Sequence, residues 1–201
     1  MTIHHDHPFL PPPDERNPVR QLRGRLASPV TLWTAAAPAP ASSAPSAEGS
    51  MPGKDSARDW PQRARRAGLP VSSVLVADGE PGIVVGLVDA DSELWSLVER
   101  LGPDARFAVS FLRWEHRNLA DAFAGLRPAP GGPFRLAEWR ETAWGPVPTT
   151  VSTWAGCRLR ATRPVGWALA VEAEIEHIEL GDESDPLVHR RGRYVTVAGA
   201  R

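Results

Sequence analysis

Two adjacent serines, Ser72 and Ser73, open an apolar run in "GLPVSSVLVADGEPGIVVGLV", residues 68–88. A buried hydroxyl without a partner costs free energy, so a strand starting this way must satisfy both groups. Water or neighbouring backbone would do so at a solvated strand end. A bound ligand would also do so, because small side chains let a flat molecule approach the main chain. The pair alone supports no more than the solvated strand end.

The other reactive side chains form no familiar constellation. His4, His5 and His7 with Asp6 could hold a metal, but a tail supplies no outer support for its ligands, and a solvated terminus accounts for them. Glu172, Glu174 and Glu176 are evenly spaced along one face of a predicted strand and read as a solvated exterior. His116, His177 and His189 are far apart in sequence and read as surface or satisfied core residues. Arg63, Arg65 and Arg66 form a small basic cluster at a loop end, suited to an anion only if the loop folds back. There is no G-x-G-x-x-G, phosphate-cradling loop, zinc spacing or nucleophile elbow. No catalytic side chain and no metal site is assigned.

Composition narrows the class. Hydrophobic residues make up 42% of the 201, enough for a core. A net charge of −1 and the lack of a basic, aromatic-interleaved stripe argue against nucleic acid. The single cysteine, Cys157, excludes an internal disulfide and suits an intracellular, cytoplasmic protein. No signal-peptide core and no membrane-spanning run is present, so no membrane partner is expected. Most of the excess among the 21 prolines lies before residue 62. Residues 1–16 therefore read as a disordered tail, and residues 17–201 as one domain carrying a Pro/Ala/Ser-rich loop over 38–66.

The elements follow from periodicity. Val19, Leu22 and Leu26 predict a helix over 17–27, and "PVTLWTAAA" predicts a strand. Strands are predicted over Val71–Ala77 and Ile83–Val88 around the Asp78-Gly79 turn. Asp91-Ser92 caps a helix carrying Leu94, Leu97, Val98 and Leu101, and Gly102-Pro103 ends it. A buried strand over Phe107–Leu112 precedes a short helix with Leu119 and Phe123 on one face. Trp139 and Trp144 read as packing or pocket residues. In the last third, Ala155, Cys157, Leu159 and Ala161 share one strand face. The next strand slips phase at His177-Ile178, which predicts a bulge. "RYVTVA" is the last predicted strand. Strands and helices do not alternate regularly, so the fold class is mainly β: a small antiparallel barrel with short inserted helices.

The succession of short strings carries more than any one of them. "LRGRLASPVTLWT" (22–34), "GLPVSS" (68–73), "FAVSFL" (107–112), "LADAFAG" (119–125) and "PLVHRRGRY" (186–194) resemble, in order and spacing, the flavin reductase-like family of FMN-binding split β-barrels. The resemblance spans about residues 17 to 197. It implies an NAD(P)H-dependent flavin reductase using FMN or FAD with NADH or NADPH. It also implies a homodimer, and a reductase component that supplies reduced flavin to a monooxygenase partner. Hydride transfer to a flavin needs no nucleophile or general base from the protein, which accounts for the missing motifs.

By family position, Val71, Ser72 and Ser73 are expected along the flavin ring and ribityl chain, and Ser92 at its phosphate. Ser110, Phe123, Ala124 and Gly125 match further cofactor-binding positions. This chain departs from the pattern at several of these places. Pro70 replaces a threonine, and "DADSEL" brings Asp89, Asp91 and Leu94 to the phosphate turn, an arrangement expected to weaken FMN binding unless Arg63, Arg65, Arg66 or Arg113 compensates. Gly166-Trp167-Ala168 replaces a histidine-bearing segment near the nicotinamide site, and His189-Arg190 replaces a Tyr-His pair. A second reading follows from these departures: a non-catalytic split-barrel binder of flavin or another ligand, or a dimeric scaffold with a degenerate cofactor site.

Overall fold

Seven strands must bury one face of a single sheet, and one tryptophan shows how they do it. The computed structural model describes residues 17–37, 66–182 and 185–197. The histidine-rich tail, the loop over 38–65 with Arg63 and Arg65, and the ends beyond these ranges lie outside the described residues. In chain order the elements begin with α1 (Pro18–Arg25), β1 (Ser28–Pro29), β2 (Thr31–Ala36), β3 (Arg66–Val71), β4 (Val74–Ala77) and β5 (Ile83–Val88). They continue with α2 (Glu93–Leu101), β6 (Arg106–Phe111), α3 (Arg117–Phe123), β7 (Trp139–Thr142) and β8 (Gly145–Pro148). The last are β9 (Trp154–Val165), β10 (Ala168–Glu179), β11 (Val188–Arg190) and β12 (Arg193–Val195).

The main sheet runs β3-β2-β6-β9-β10-β5-β4, every pair antiparallel. Its two edge strands, β3 and β4, are consecutive in the chain and joined through Ser72-Ser73, yet no ladder connects them. The sheet therefore curls without closing. Trp33 on β2 lies so close over β5, a strand that is not its neighbour, that a Cβ on Gly86 would sit 2.6 Å from the indole. Only glycine leaves room for that ring. The other side of the indole stacks on Phe107, with ring centroids 5.1 Å apart. Leu94, Leu97 and Val98 of α2 fill the same inner core. The outer face of β2 and β6 carries a second core, Val30, Leu32, Ala108 and Leu112, covered by α3 and the β7–β8 hairpin.

Several expectations hold and others are corrected. The cap of α2 is Ser92, and Gly102 ends the helix with φ of 89°. The strand predicted over Val71–Ala77 is two strands broken at Ser72-Ser73, and its first half reaches back to Arg66. Pro70 did not prevent this, because β3 is an edge strand, where one missing N–H is tolerated. Arg66 thus belongs to β3 and not to the loop. In β10 the register shifts between Ile175 and His177, which is the expected bulge with Glu176 as the extra residue. A second shift lies opposite it on β9: Leu159 pairs with Ala173 but Ala161 pairs with Glu172, so Arg160 is the extra residue and Ala161 leaves the inner face. Helix α1 is capped by the Asn17 side chain, but Val19, Leu22 and Leu26 remain exposed. The predicted barrel is an open, curled sheet with β1-β11-β12 and β7-β8 beside it.

The evenly spaced glutamates are not merely solvated. Glu176 accepts from Arg106 Nε (2.7 Å), Arg158 Nε (3.0 Å) and Trp144 Nε1 (2.8 Å). Glu174 accepts from Arg158 Nη2 at 2.9 Å. His177 stacks between Trp144 and Trp154, with centroids 5.0 and 4.7 Å away. This exterior lattice ties β7–β8 to the main sheet. The hydrogen bond from Arg106 is the largest cause holding the Glu176 carboxyl down from 4.5 to about 2.

Two outcomes follow. Gly86→Ala is expected to lose about 1–3 kcal/mol of stability from overpacking against Trp33; an unchanged denaturation midpoint would contradict the packing. Because the Glu176 pKa is lowered on folding, the stability it contributes is present above 4.5 and lost as pH falls to about 2. Glu176→Gln should therefore melt lower than the parent at neutral pH, and the difference should vanish across that acid range.

Candidate functional site

The gap between β3 and β4 is where the sequence placed its serines. Thr31, on β2, faces both sides of the question: it pairs with Val71 on β3 and with Phe111 on β6. Its Oγ1 donates to the Val71 carbonyl at 2.8 Å and accepts from Trp33 Nε1 at 3.0 Å. One buried hydroxyl thus fixes the main chain just before the break. On the far side, Leu87 N–H donates to the Ser73 carbonyl at 2.9 Å. The two serines are suspended between these anchors. Both are half-buried, and among the described residues neither hydroxyl has a hydrogen-bond partner.

The expected site residues fall into three groups. Val71, Ser72 and Ser73 lie at the break, but the Val71 side chain is sealed in the core and its carbonyl is taken by Thr31. Val71 therefore positions the serines and offers no side-chain surface. Ser92 follows the end of β5 by four residues, and Leu87 of that strand touches Ser73. Ser110 pairs with Leu32 on the outer face, where its Oγ is wholly buried and has no partner. The third group is the end of α3. Phe123 packs on Gly68 of β3, where a Cβ would lie 2.7 Å from the ring, and makes edge contacts with Phe134 and Trp139. Ala124 and Gly125 are exposed, and Gly125 ends the helix with φ of 70°. "GLPVSS" and "LADAFAG" thus meet in space.

The turn before α2 is occupied by its own groups. Asp91 N–H donates to Asp89 Oδ1 at 3.0 Å, and Ser92 Oγ donates to the Asp89 carbonyl at 2.6 Å. The same Oγ accepts from Trp95 N–H at 3.2 Å. Of the cations expected to compensate, Arg66 is engaged by Glu141 at 2.6 Å and Arg113 by Glu115, while Arg63 and Arg65 lie outside the described residues. The break thus offers small side chains and two unpartnered hydroxyls, whereas the turn presents the carboxylates of Asp89, Asp91 and Glu93.

Next to the break lies an apolar groove of about 460 Å³, reached by Phe111 and walled by Val76, Ile178 and Leu180. Val76 and Leu180 in its wall are 58% and 80% exposed. His116 is a satisfied buried residue: its Nδ1 accepts from Arg113 N–H and its Nε2 donates to Thr150 Oγ1, each at 3.0 Å. Desolvation lowers its pKa and keeps it neutral. Burial pushes the Cys157 thiol up to about 12, so it is inert. Among the described residues no group of histidine, cysteine or carboxylate side chains could hold a metal. Nor is any helix among them long and apolar enough to cross a membrane.

Sequence reasoning missed Thr31 and Gly86. Both lie inside runs read as strands, and only the curl of the sheet shows that one holds Val71 and the other makes room for Trp33.

Comparison with known proteins places the fold. The family described as "Flavin reductase like domain" matches residues 23–198, and the chain belongs to that family. Among solved structures it is similar to a nitrilotriacetate monooxygenase component B from Mycobacterium thermoresistibile, with 18% identity, TM-score 0.68, and 89% of this chain and 84% of that chain covered. It is also similar to BorF, the flavin reductase component of a bacterial two-component tryptophan halogenase, with 19% identity, TM-score 0.66, and coverage of 90% and 98%. A third is the NADH:FAD oxidoreductase SgcE6 of Streptomyces globisporus, with 18% identity, TM-score 0.67, and coverage of 96% and 93%. At such identities these likenesses show the shared fold. No curated protein matches the chain.

Removing the unpartnered hydroxyl by Ser110→Ala is expected to raise the stability of the ligand-free protein by roughly 1 kcal/mol in chemical denaturation. A loss of stability would mean that the hydroxyl has a partner in the folded chain.

Proposed function

We propose that the protein is an NAD(P)H-dependent flavin reductase that holds the flavin ring against the Ser72-Ser73 break. The observation that carries this is the pair of unpartnered hydroxyls held between the Thr31–Val71 and Leu87–Ser73 hydrogen bonds, at the position where the family resemblance implies the flavin. When bound, the flavin supplies the hydride-accepting ring. The chain's own part is to fix the break, offer small side chains and main-chain groups to the ring edge, and exclude water with Phe123 and the aromatic residues around it. FMN and FAD are the flavins the resemblance implies, and NADH or NADPH the donor. A monooxygenase-type partner receiving reduced flavin, in a cytoplasmic setting, completes the reading.

The apolar groove supports a homodimer. Val76, Ile178 and Leu180 are all more than half exposed and line that groove. Such a contiguous patch is rare on a monomer's free surface and suits a second copy covering the site. The self-satisfied acidic turn favours a second reading, a flavin-binding relative without turnover.

Purified protein is expected to perturb the visible spectrum of added flavin and to consume NADH or NADPH with flavin as acceptor. Flavin binding without nicotinamide oxidation would leave the binder; neither, in folded protein, would end both readings. Leu180→Asp should convert the dimer to monomer in sedimentation and weaken flavin binding with it. A parent protein that sediments as a monomer would contradict the dimer.

A further inference from the structure

We propose that the flavin this chain binds most tightly is one without a terminal phosphate, namely riboflavin, because its own carboxylates fill the turn at the head of α2. The inference rests on the flavin-binding reading above and narrows its substrate.

A helix start beside the break would ordinarily attract an anion, through its free N–H groups and the positive end of its dipole. Here most of the nearby amides are engaged, and among the described residues those of Glu93 and Leu94 are left without a partner. Asp91 N–H is held by Asp89 Oδ1, Ser92 N–H by the Asp89 carbonyl at 3.2 Å, and Trp95 N–H by Ser92 Oγ. The Ser92 hydroxyl also donates to the Asp89 carbonyl, so both its roles are used within the turn. Asp89, Asp91 and Glu93 bring three carboxylates within five residues, and among the described residues no cation pairs with them. Arg66 and Arg113 are held by Glu141 and Glu115.

A phosphate arriving there would meet the like charge of three carboxylates, with the Glu93 and Leu94 amides free to donate. A polyol end would meet carboxylate oxygens that can accept its hydroxyl protons. The turn lies close enough to matter: Val88 ends β5, and Leu87 already touches Ser73. A ligand lying on the serines and extending past β5 therefore brings its ribityl end to Asp89 and Asp91.

The test is titration of the full-length protein with riboflavin, FMN and FAD at low and at physiological salt, followed by flavin fluorescence. Riboflavin is expected to bind about tenfold more tightly than FMN. FMN affinity should rise with added salt as repulsion is screened, while riboflavin affinity stays flat. Asp91→Asn should tighten FMN binding several-fold. Asp89→Asn should do the same while keeping an amide oxygen to accept the Asp91 N–H, so the turn is preserved. FMN or FAD binding more tightly than riboflavin, with affinity falling as salt rises, would overturn the inference and leave the flavin reading intact. No binding by any of the three would overturn both.

Discussion

The Thr31 hydroxyl carries the architecture of the site. It accepts the Trp33 indole N–H and donates to the Val71 carbonyl, so one oxygen locks the core tryptophan and the last residue before the break. A hydroxyl this deep is affordable only because both its roles are used. Trp33 in turn demands Gly86, and that close approach is what curls β5 over β2. With the sheet curled, its two edges come together as consecutive strands, and the chain steps between them through Ser72 and Ser73. The site is thus a by-product of closure left incomplete: small residues at a break in the ladder, with polar groups that the sheet itself does not use.

Two different demands meet at this place. A planar ring needs a flat wall and a few hydrogen-bonding groups, the role proposed for the break. A charged tail needs donors and cations, and among the described residues the turn before α2 offers two free amides, three carboxylates and no paired cation. The family relationship fixes the fold and the class of cofactor, yet the charge of the ligand's far end is decided by a handful of residues that can change without disturbing the core. Asp89, Asp91 and Glu93 lie on an exposed turn whose own hydrogen bonds hold its shape. In the proposed reading their identity constrains the ligand and not the fold.

Much of the fold was legible from local pattern. The Ser92 cap, the Leu94-Leu97-Val98 face and the bulge near His177 all arise from short-range rules of period and capping. What was not legible depends on contacts distant in sequence. The break at Ser72-Ser73 was hidden because Val71–Ala77 is apolar enough to read as one strand, and Pro70 disguised the edge strand before it. The slip at Arg160 gave no sign, since Ala161 suits either face. The glutamate row was read as solvated because its partners, Arg106 and Trp144, come from β6 and the β7–β8 connection. Of the site, the serines were found through their place in a succession of strings, whereas Thr31, which positions them, was passed over as an ordinary strand residue.

The account turns on the break between β3 and β4 being the ligand wall. Hydrogen exchange of the full-length protein, with and without saturating riboflavin, tests this directly. The account predicts that riboflavin slows exchange chiefly in peptides covering the end of β3, Ser72-Ser73 and the β5–α2 turn. Protection confined to other segments, with these unchanged in protein that demonstrably binds riboflavin, would contradict it.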